Sequence, residues 1–184
     1  MEQEISLAVE ALQRGETLLY PTDTIWGLGC DARRGDALDL LYNLKGRDRS
    51  KSMLILCTPE VADADWCEPA ERPTTYILPA SRWKAALRVE VASSLAAADG
   101  SLGIRMVDHP FCSEVIRRLG APLVSTSANI SGHPAPLRFD DIDLSLRQQV
   151  GYCVQPLPCF FSGEKLGSRI IKINDDGSHT VIRP

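Results

Sequence analysis

Three short stretches of this chain hold the residue types that do chemistry at suggestive spacing. In Tyr20-Pro21-Thr22-Asp23-Thr24-Ile25-Trp26-Gly27-Leu28-Gly29-Cys30, two hydroxyls flank an acid and two glycines follow one residue apart. That pattern makes a polar rim beside backbone that a small ligand can approach closely. A tight β-turn whose hydroxyls bond the backbone explains the same residues. In Lys45-Gly46-Arg47-Asp48-Arg49-Ser50-Lys51, cations alternate with other residues. Arginine matches phosphate or carboxylate oxygens with a planar fork, and lysine adds a point charge. Lys45 and Arg47 are placed to meet one anion, although cations that end a helix also complement its dipole without any ligand. Arg49 and Lys51 read as a solvated face. In Pro122-Leu123-Val124-Ser125-Thr126-Ser127-Ala128-Asn129-Ile130-Ser131-Gly132-His133-Pro134, an apolar strand runs into hydroxyls and an amide. Short polar side chains at a strand's end can bond a phosphate or carboxylate, and strand-end loops are where α/β sheets carry sites. A plain polar loop accounts for the composition as well.

The elements that must position these stretches follow from periodicity. Apolar Ile5, Ala8, Val9 and Leu12 at helical spacing predict a helix over 4–14, stopped near Gly15. Strands are expected at 17–20 and 25–30, and Leu38, Leu41 and Leu44 predict a helix over 36–45 that delivers the chain to the basic stretch. Further strands are expected at 53–57, 75–78, 102–106, 122–125, 152–155, 169–173 and 180–183. Helices are expected near 59–65, over 111–119 before Gly120, and over 140–150. Helices and strands mix without strict βαβ alternation, which predicts an α+β fold with a mixed sheet and helices packed on it. There is no repeat, linker or low-complexity segment, so residues 1–184 read as one domain.

Bulk composition narrows the function classes. With 184 residues, 44% hydrophobic and 24% charged, the chain is long enough for a full core and is not disordered in composition. Its longest apolar runs are far too short to cross a bilayer, so no membrane contact is expected. The acidic start lacks the features of an export signal, which makes the cytoplasm the expected location. Cys30, Cys57, Cys67, Cys112, Cys153 and Cys159 form no CxxC pair and the three histidines are scattered, so no structural metal is expected and the thiols should be reduced. A net charge of −4 opposes generic nucleic-acid binding, yet the basic stretch suggests a local anionic ligand. GxxxxGK[ST], the dinucleotide glycine fingerprint and GxSxG are all absent.

Taken in order, the three stretches resemble the YrdC/Sua5 family of threonylcarbamoyl-AMP synthases. Residues 20–30 match Tyr-Pro-Thr-[Asp/Glu]-Thr-x-aromatic-Gly-[Leu/Val]-Gly-Cys, residues 45–47 match Lys-x-Arg, and residues 125–132 match Ser-Thr-Ser-Ala-Asn-x-Ser-Gly. Leu102-Gly103-Ile104-Arg105, leading to Asp108-His109-Pro110, is similar to a further family segment. Two departures stand out. Glu71-Arg72-Pro73-Thr74-Thr75 replaces the family's Pro-Gly-Pro-x-Thr, and Ser168-Arg169 replaces its Ser-Thr pair.

The resemblance implies a YrdC/RibB-like fold, a twisted mixed sheet flanked by helices around a deep, positively lined cavity, in its short single-domain form. It implies an enzyme, a nucleotidyltransferase that condenses L-threonine, bicarbonate and ATP into threonylcarbamoyl-AMP and pyrophosphate for the t6A modification of transfer RNA. By resemblance, Lys45 and Arg47 hold phosphate and developing charge. Thr22, Thr24 and Arg105 orient threonine, Arg105 through its carboxylate. Ser125, Ser127, Asn129 and Ser168 bind the nucleotide. Mg²⁺ accompanies ATP through phosphate oxygens and water, with no protein metal site. Weak RNA binding and transient contact with a downstream tRNA threonylcarbamoyltransferase complex are the implied macromolecular contacts. Two other readings stand beside this one: an RNA-binding module of the same fold without adenylation activity, and a paralogue acting on another small substrate.

Overall fold

The computed structural model of the chain describes residues 1–67, 71–158 and 166–184. Cys159 therefore lies outside the described residues. Helix α1 (Glu2–Gln13) buries Ile5, Ala8, Val9 and Leu12 on one face, as their spacing requires. It closes at Gly15, whose positive φ lets the Gly15 and Glu16 amides reach the carbonyls of Leu12 and Ala11. Helix α2 (Gly35–Lys45) buries Leu38 and Leu41 and ends at left-handed Gly46. Helix α3 (Ala80–Ala86) buries only Trp83 and Ala86. Helix α4 (Pro110–Leu119) starts on proline, stops at left-handed Gly120 and packs against α1. Helix α5 (Leu144–Gln149) is short and capped by Asp143.

The described strands are β1 (Leu18–Tyr20), β2 (Gly27–Gly29), β3 (Leu54–Cys57), β4 (Thr74–Leu78), β5 (Leu102–Met106), β6 (Leu123–Ser127), β7 (Tyr152–Cys153), β8 (Arg169–Ile173) and β9 (His179–Arg183). They form one mixed sheet in the order β7-β1-β2-β6-β3-β5-β4-β8-β9. Pairs β7–β1, β3–β5 and β4–β8 are parallel and the others antiparallel. Strand β6 joins the two halves. Its Ser127 and Thr126 pair with Gly27 and Leu28 of β2, while Leu123, Val124 and Ser125 pair with β3. At this seam glycine is obligatory: a Cβ on Gly29 would stand 2.0 Å from the Val124 carbonyl oxygen. The buried aliphatic residues of β1, β3, β5 and β6 pack with those of α1, α2 and α4 into one core.

Two expectations from periodicity differ from the fold, and one helix lies outside them. Residues 59–65 form no helix: residues 59–61 turn and Ala62 bridges Leu87, with the Asp63 amide bonding the Ala86 carbonyl and the Arg88 amide bonding the Val61 carbonyl. The expected helix over 140–150 splits into a 3₁₀ turn at Phe139–Asp141 and α5. Asp143 breaks it by accepting the Ser145 amide at 2.7 Å. Helix α3 was not expected, since two buried positions in seven residues give no readable period.

Candidate functional site

A cleft of about 350 Å³ lies on one face of the sheet, within the size range of small-molecule sites. Period-two alternation builds it. Ser101, Gly103 and Arg105 lead along β5, Thr75 and Ile77 along β4, and Ser125 and Ser127 along β6, each set turned to the same side. Thr22 and Thr24 enter from the β1–β2 loop, Arg47 and Ser52 from the segment after α2, and Ser168 and Arg183 from the C-terminal hairpin.

On the β1–β2 side the hydrogen-bond directions are fully determined. The Thr22 hydroxyl donates to the Ile25 carbonyl at 2.8 Å. The 3.0 Å contact between the two hydroxyls must then have Thr24 as donor. Thr22 Oγ1 also accepts the Thr24 amide at 3.0 Å, so both its lone pairs are used. Thr24 Oγ1 accepts Arg105 Nη1 at 3.1 Å and keeps one open lone pair. Thr22 is therefore saturated, and Thr24 offers an incoming ligand an acceptor only. Arg105 also lies 3.0 Å from Asp23 Oδ1, both side chains being nearly buried. Its Nε is buried without a hydrogen bond among the described residues. Of its five N–H donors, one Nη1–H serves Thr24 and Nη2 faces Asp23, so donors remain for an entering anion.

Thr22→Val keeps the volume but strips the hub from this chain of bonds. It is expected to lower stability by about 1–3 kcal/mol, the usual cost of leaving buried donors unmatched, while Thr22→Ser stays near wild type. Urea unfolding of both variants checks this, and a T22V protein as stable as wild type would show that the oxygen is not the hub.

On the opposite side, Thr75 Oγ1 and Ser168 Oγ lie 2.8 Å apart. Arg183 donates to the Ser168 carbonyl at 2.8 Å and to its hydroxyl at 3.3 Å. Burial, with the neighbouring Arg105 and Arg72 adding to it, holds the Arg183 guanidinium below its ordinary pKa. Arg47 is braced by donating to the carbonyls of Lys51 and Ser52 at 2.8 and 3.0 Å. Among the described residues, Arg47, Arg105 and Arg183 line the cleft and no carboxylate does.

The cleft thus gathers Thr22, Thr24, Arg47, Arg105, Ser125, Ser127 and Ser168 from the residues picked out in the sequence. Lys45 and Asn129 are elsewhere. Lys45 is turned inward, 1% exposed, with its ammonium bonded to backbone carbonyls. Asn129 faces a separate hollow and donates its amide to the Ile130 and His133 carbonyls at 2.9 and 2.7 Å, because its loop folds back on it. Ser52, Thr75, Ser101 and Arg183 line the cleft without having been singled out in the sequence. Parity marks Ser101, which shares a side with Arg105 along β5; the other three carry no such signal.

An α+β domain whose cationic, carboxylate-free cleft is edged with hydroxyls is built to hold an anionic small molecule. The family model for Sua5, YciO and YrdC, described as telomere recombination, matches residues 10–184. The chain belongs to the Sua5/YciO/YrdC family. It is 33% identical over 156 residues to a threonylcarbamoyl-AMP synthase of Xylella fastidiosa, a match spanning 77% of this chain and 80% of the relative. A doubly substituted Sua5 of P. abyssi superposes with a TM-score of 0.80 at 23% identity, covering all of this chain and 57% of that one. The same Sua5 solved with L-threonine gives a TM-score of 0.73 at 21% identity, over 100% of this chain and 54% of that one. E. coli YciO gives 0.75 at 22% identity, over 100% and 89%. These structures share the twisted mixed sheet flanked by helices.

Proposed function

We propose that this chain is a threonylcarbamoyl-AMP synthase that condenses L-threonine, bicarbonate and ATP into threonylcarbamoyl-AMP and pyrophosphate. The observation that carries the reading is the meeting of two half-sites in one cleft. One half, Arg105 with Thr24, suits an amino acid: a guanidinium for its carboxylate, and an acceptor-only oxygen for its hydroxyl or amine proton. The other half, Arg47 with Ser125, Thr126 and Ser127, suits a polyphosphate.

The reaction balances without a protein nucleophile. Threonine's ammonium and bicarbonate give a carbamate, one water and one proton. A carbamate oxygen then bonds to the α-phosphorus of ATP as the bond to the pyrophosphate leaving group breaks. Holding the two ends in line and offsetting charge on the leaving group supplies most of the acceleration such transfers need. Among the described residues no three potential ligands cluster to hold a metal, and the lining lacks carboxylates. Mg²⁺ would enter with ATP, held through phosphate oxygens and water.

The RNA-module reading finds less support. Arg33, Arg34, Arg88, Arg117 and Arg118 each sit against a carboxylate, which damps the surface field that RNA binding uses. Among the described residues no helix is long and apolar enough to cross a membrane. The product is a mixed anhydride that water destroys, so a transferase acting on transfer RNA must take it up soon after release.

The test is pyrophosphate release with threonine or bicarbonate omitted in turn; release independent of both would end the assignment. Arg47→Ala is expected to cut threonine-dependent release by roughly 10²–10³, the effect of removing one charge-stabilising donor, with the circular dichroism spectrum unchanged. Wild-type turnover in that variant would remove Arg47 from the reaction.

A further inference from the structure

We propose that Lys45 is a positioning residue that rivets the end of α2 to the hydroxyl-bearing loop after β6, leaving Arg47 as the member of the pair that meets the ligand. The Lys45 ammonium donates to the Ser127 carbonyl at 2.6 Å and to the Asn129 carbonyl at 2.7 Å. Its own carbonyl accepts the Ser131 amide at 2.9 Å. One residue thereby fixes three points along the turn that carries the chain out of β6 from Ser127. The side chain does not line the cleft, whereas Ser125, Thr126 and Ser127 do.

Local geometry explains why the two cations part company. Lys45 is the last residue of α2 and projects back along the helix into the interior. Gly46, at φ +55, turns the chain sharply. Arg47 therefore emerges on the cleft side, braced by the Lys51 and Ser52 carbonyls. Among the described residues the ammonium's hydrogen-bond partners are carbonyl oxygens, and burial, with Arg47 adding to it, draws its pKa down to about 8. A lysine paired with an anion would move the other way. Charge-assisted bonds to two carbonyls hold the loop more firmly than neutral ones, which suits a device whose task is orientation.

The effect on catalysis rests on the synthase reading; the structural role does not, and it can be measured without substrate. In ligand-free Lys45→Met, the amides of residues 127–131 are expected to exchange hydrogen roughly tenfold or more faster than wild type, as the loss of two charge-assisted bonds implies. Arg47→Ala should leave those amides protected. Unchanged exchange in K45M overturns the proposal. Should K45M fail to fold, the wild-type protein decides: with ¹⁵N-labelled lysine and arginine, added Mg–pyrophosphate should displace the Arg47 side-chain signal and leave that of Lys45 in place. An equal or larger displacement of Lys45 sinks the idea. If neither signal moves, the synthase reading fails and the rivet is judged on the Lys45 signal alone: ammonium protons that exchange as fast as those of an exposed lysine overturn it, and slow exchange supports it.

Discussion

Arg105→Met is expected to destabilise the fold by about 3–5 kcal/mol, the usual result of stripping one partner from a buried ion pair. Asp23 is the reason. Its side chain is 10% exposed and lies 3.0 Å from an arginine that is 4% exposed, so the lone carboxylate would stay buried and uncompensated. Asp23→Asn alone should cost less, because Arg105 keeps its bond to Thr24. The double variant R105M/D23N should recover a large part of the loss, about 1–3 kcal/mol of coupling. Urea unfolding of the four proteins measures this, and strictly additive losses would show that the pair is not coupled. Both Arg105 variants should also lose threonine-dependent pyrophosphate release. D23N should retain it with a raised KM, since a less tightly held guanidinium presents its carboxylate site less well.

Gly29→Ala should be worse still in what it does to the fold. The added methyl would lie 2.0 Å from the Val124 carbonyl oxygen and 2.9 Å from the Tyr20 ring. Neither neighbour can give way. Val124 pairs through its amide with the Cys30 carbonyl, and Tyr20 is fully buried with its hydroxyl 3.3 Å from that same Val124 oxygen. Overpacking of this kind costs about 1–3 kcal/mol where a side chain can move, and more where backbone must. The expected outcome is loss of most soluble, folded protein. Gly35→Ala is the control, because its methyl meets only Ser94 Oγ at 3.8 Å. Equal melting temperatures for the two variants would mean that β2 and β6 can separate without penalty.

Much of this was readable from residue order. The apolar spacing in α1, α2 and α4, with their glycine stops, set those helices to within a residue or two, and β5 and β8 fell where the apolar runs lie. Convergence of the threonine, arginine and serine stretches on one cleft followed the resemblance, which covers nearly the whole chain. Three things were hidden, each for a physical reason. The inward turn of Lys45 depends on the left-handed Gly46 and on carbonyls more than 80 residues away, so its type alone suggested a ligand contact. Asn129 looked like a donor to the nucleotide, but its amide serves the loop that carries it. Arg183 sits at the end of an ordinary alternating strand. Only the register of β8 with β9, which sets Ile170 against it, brings it beside Ser168.

The same hairpin has a consequence for the newborn chain. Strand β8 lies between β4 and β9, so the wall bearing Ser168 and Arg183 leaves the ribosome after every other described part of the cleft. At ordinary synthesis speeds, about 10–30 s separate the emergence of Thr22 from that of Arg183. From the docking of β5 until β8 is made, β4 is a bare sheet edge, open to pairing with a neighbouring polypeptide. Protection of that edge in the cell and completion of the cleft therefore arrive together as the β8–β9 hairpin docks.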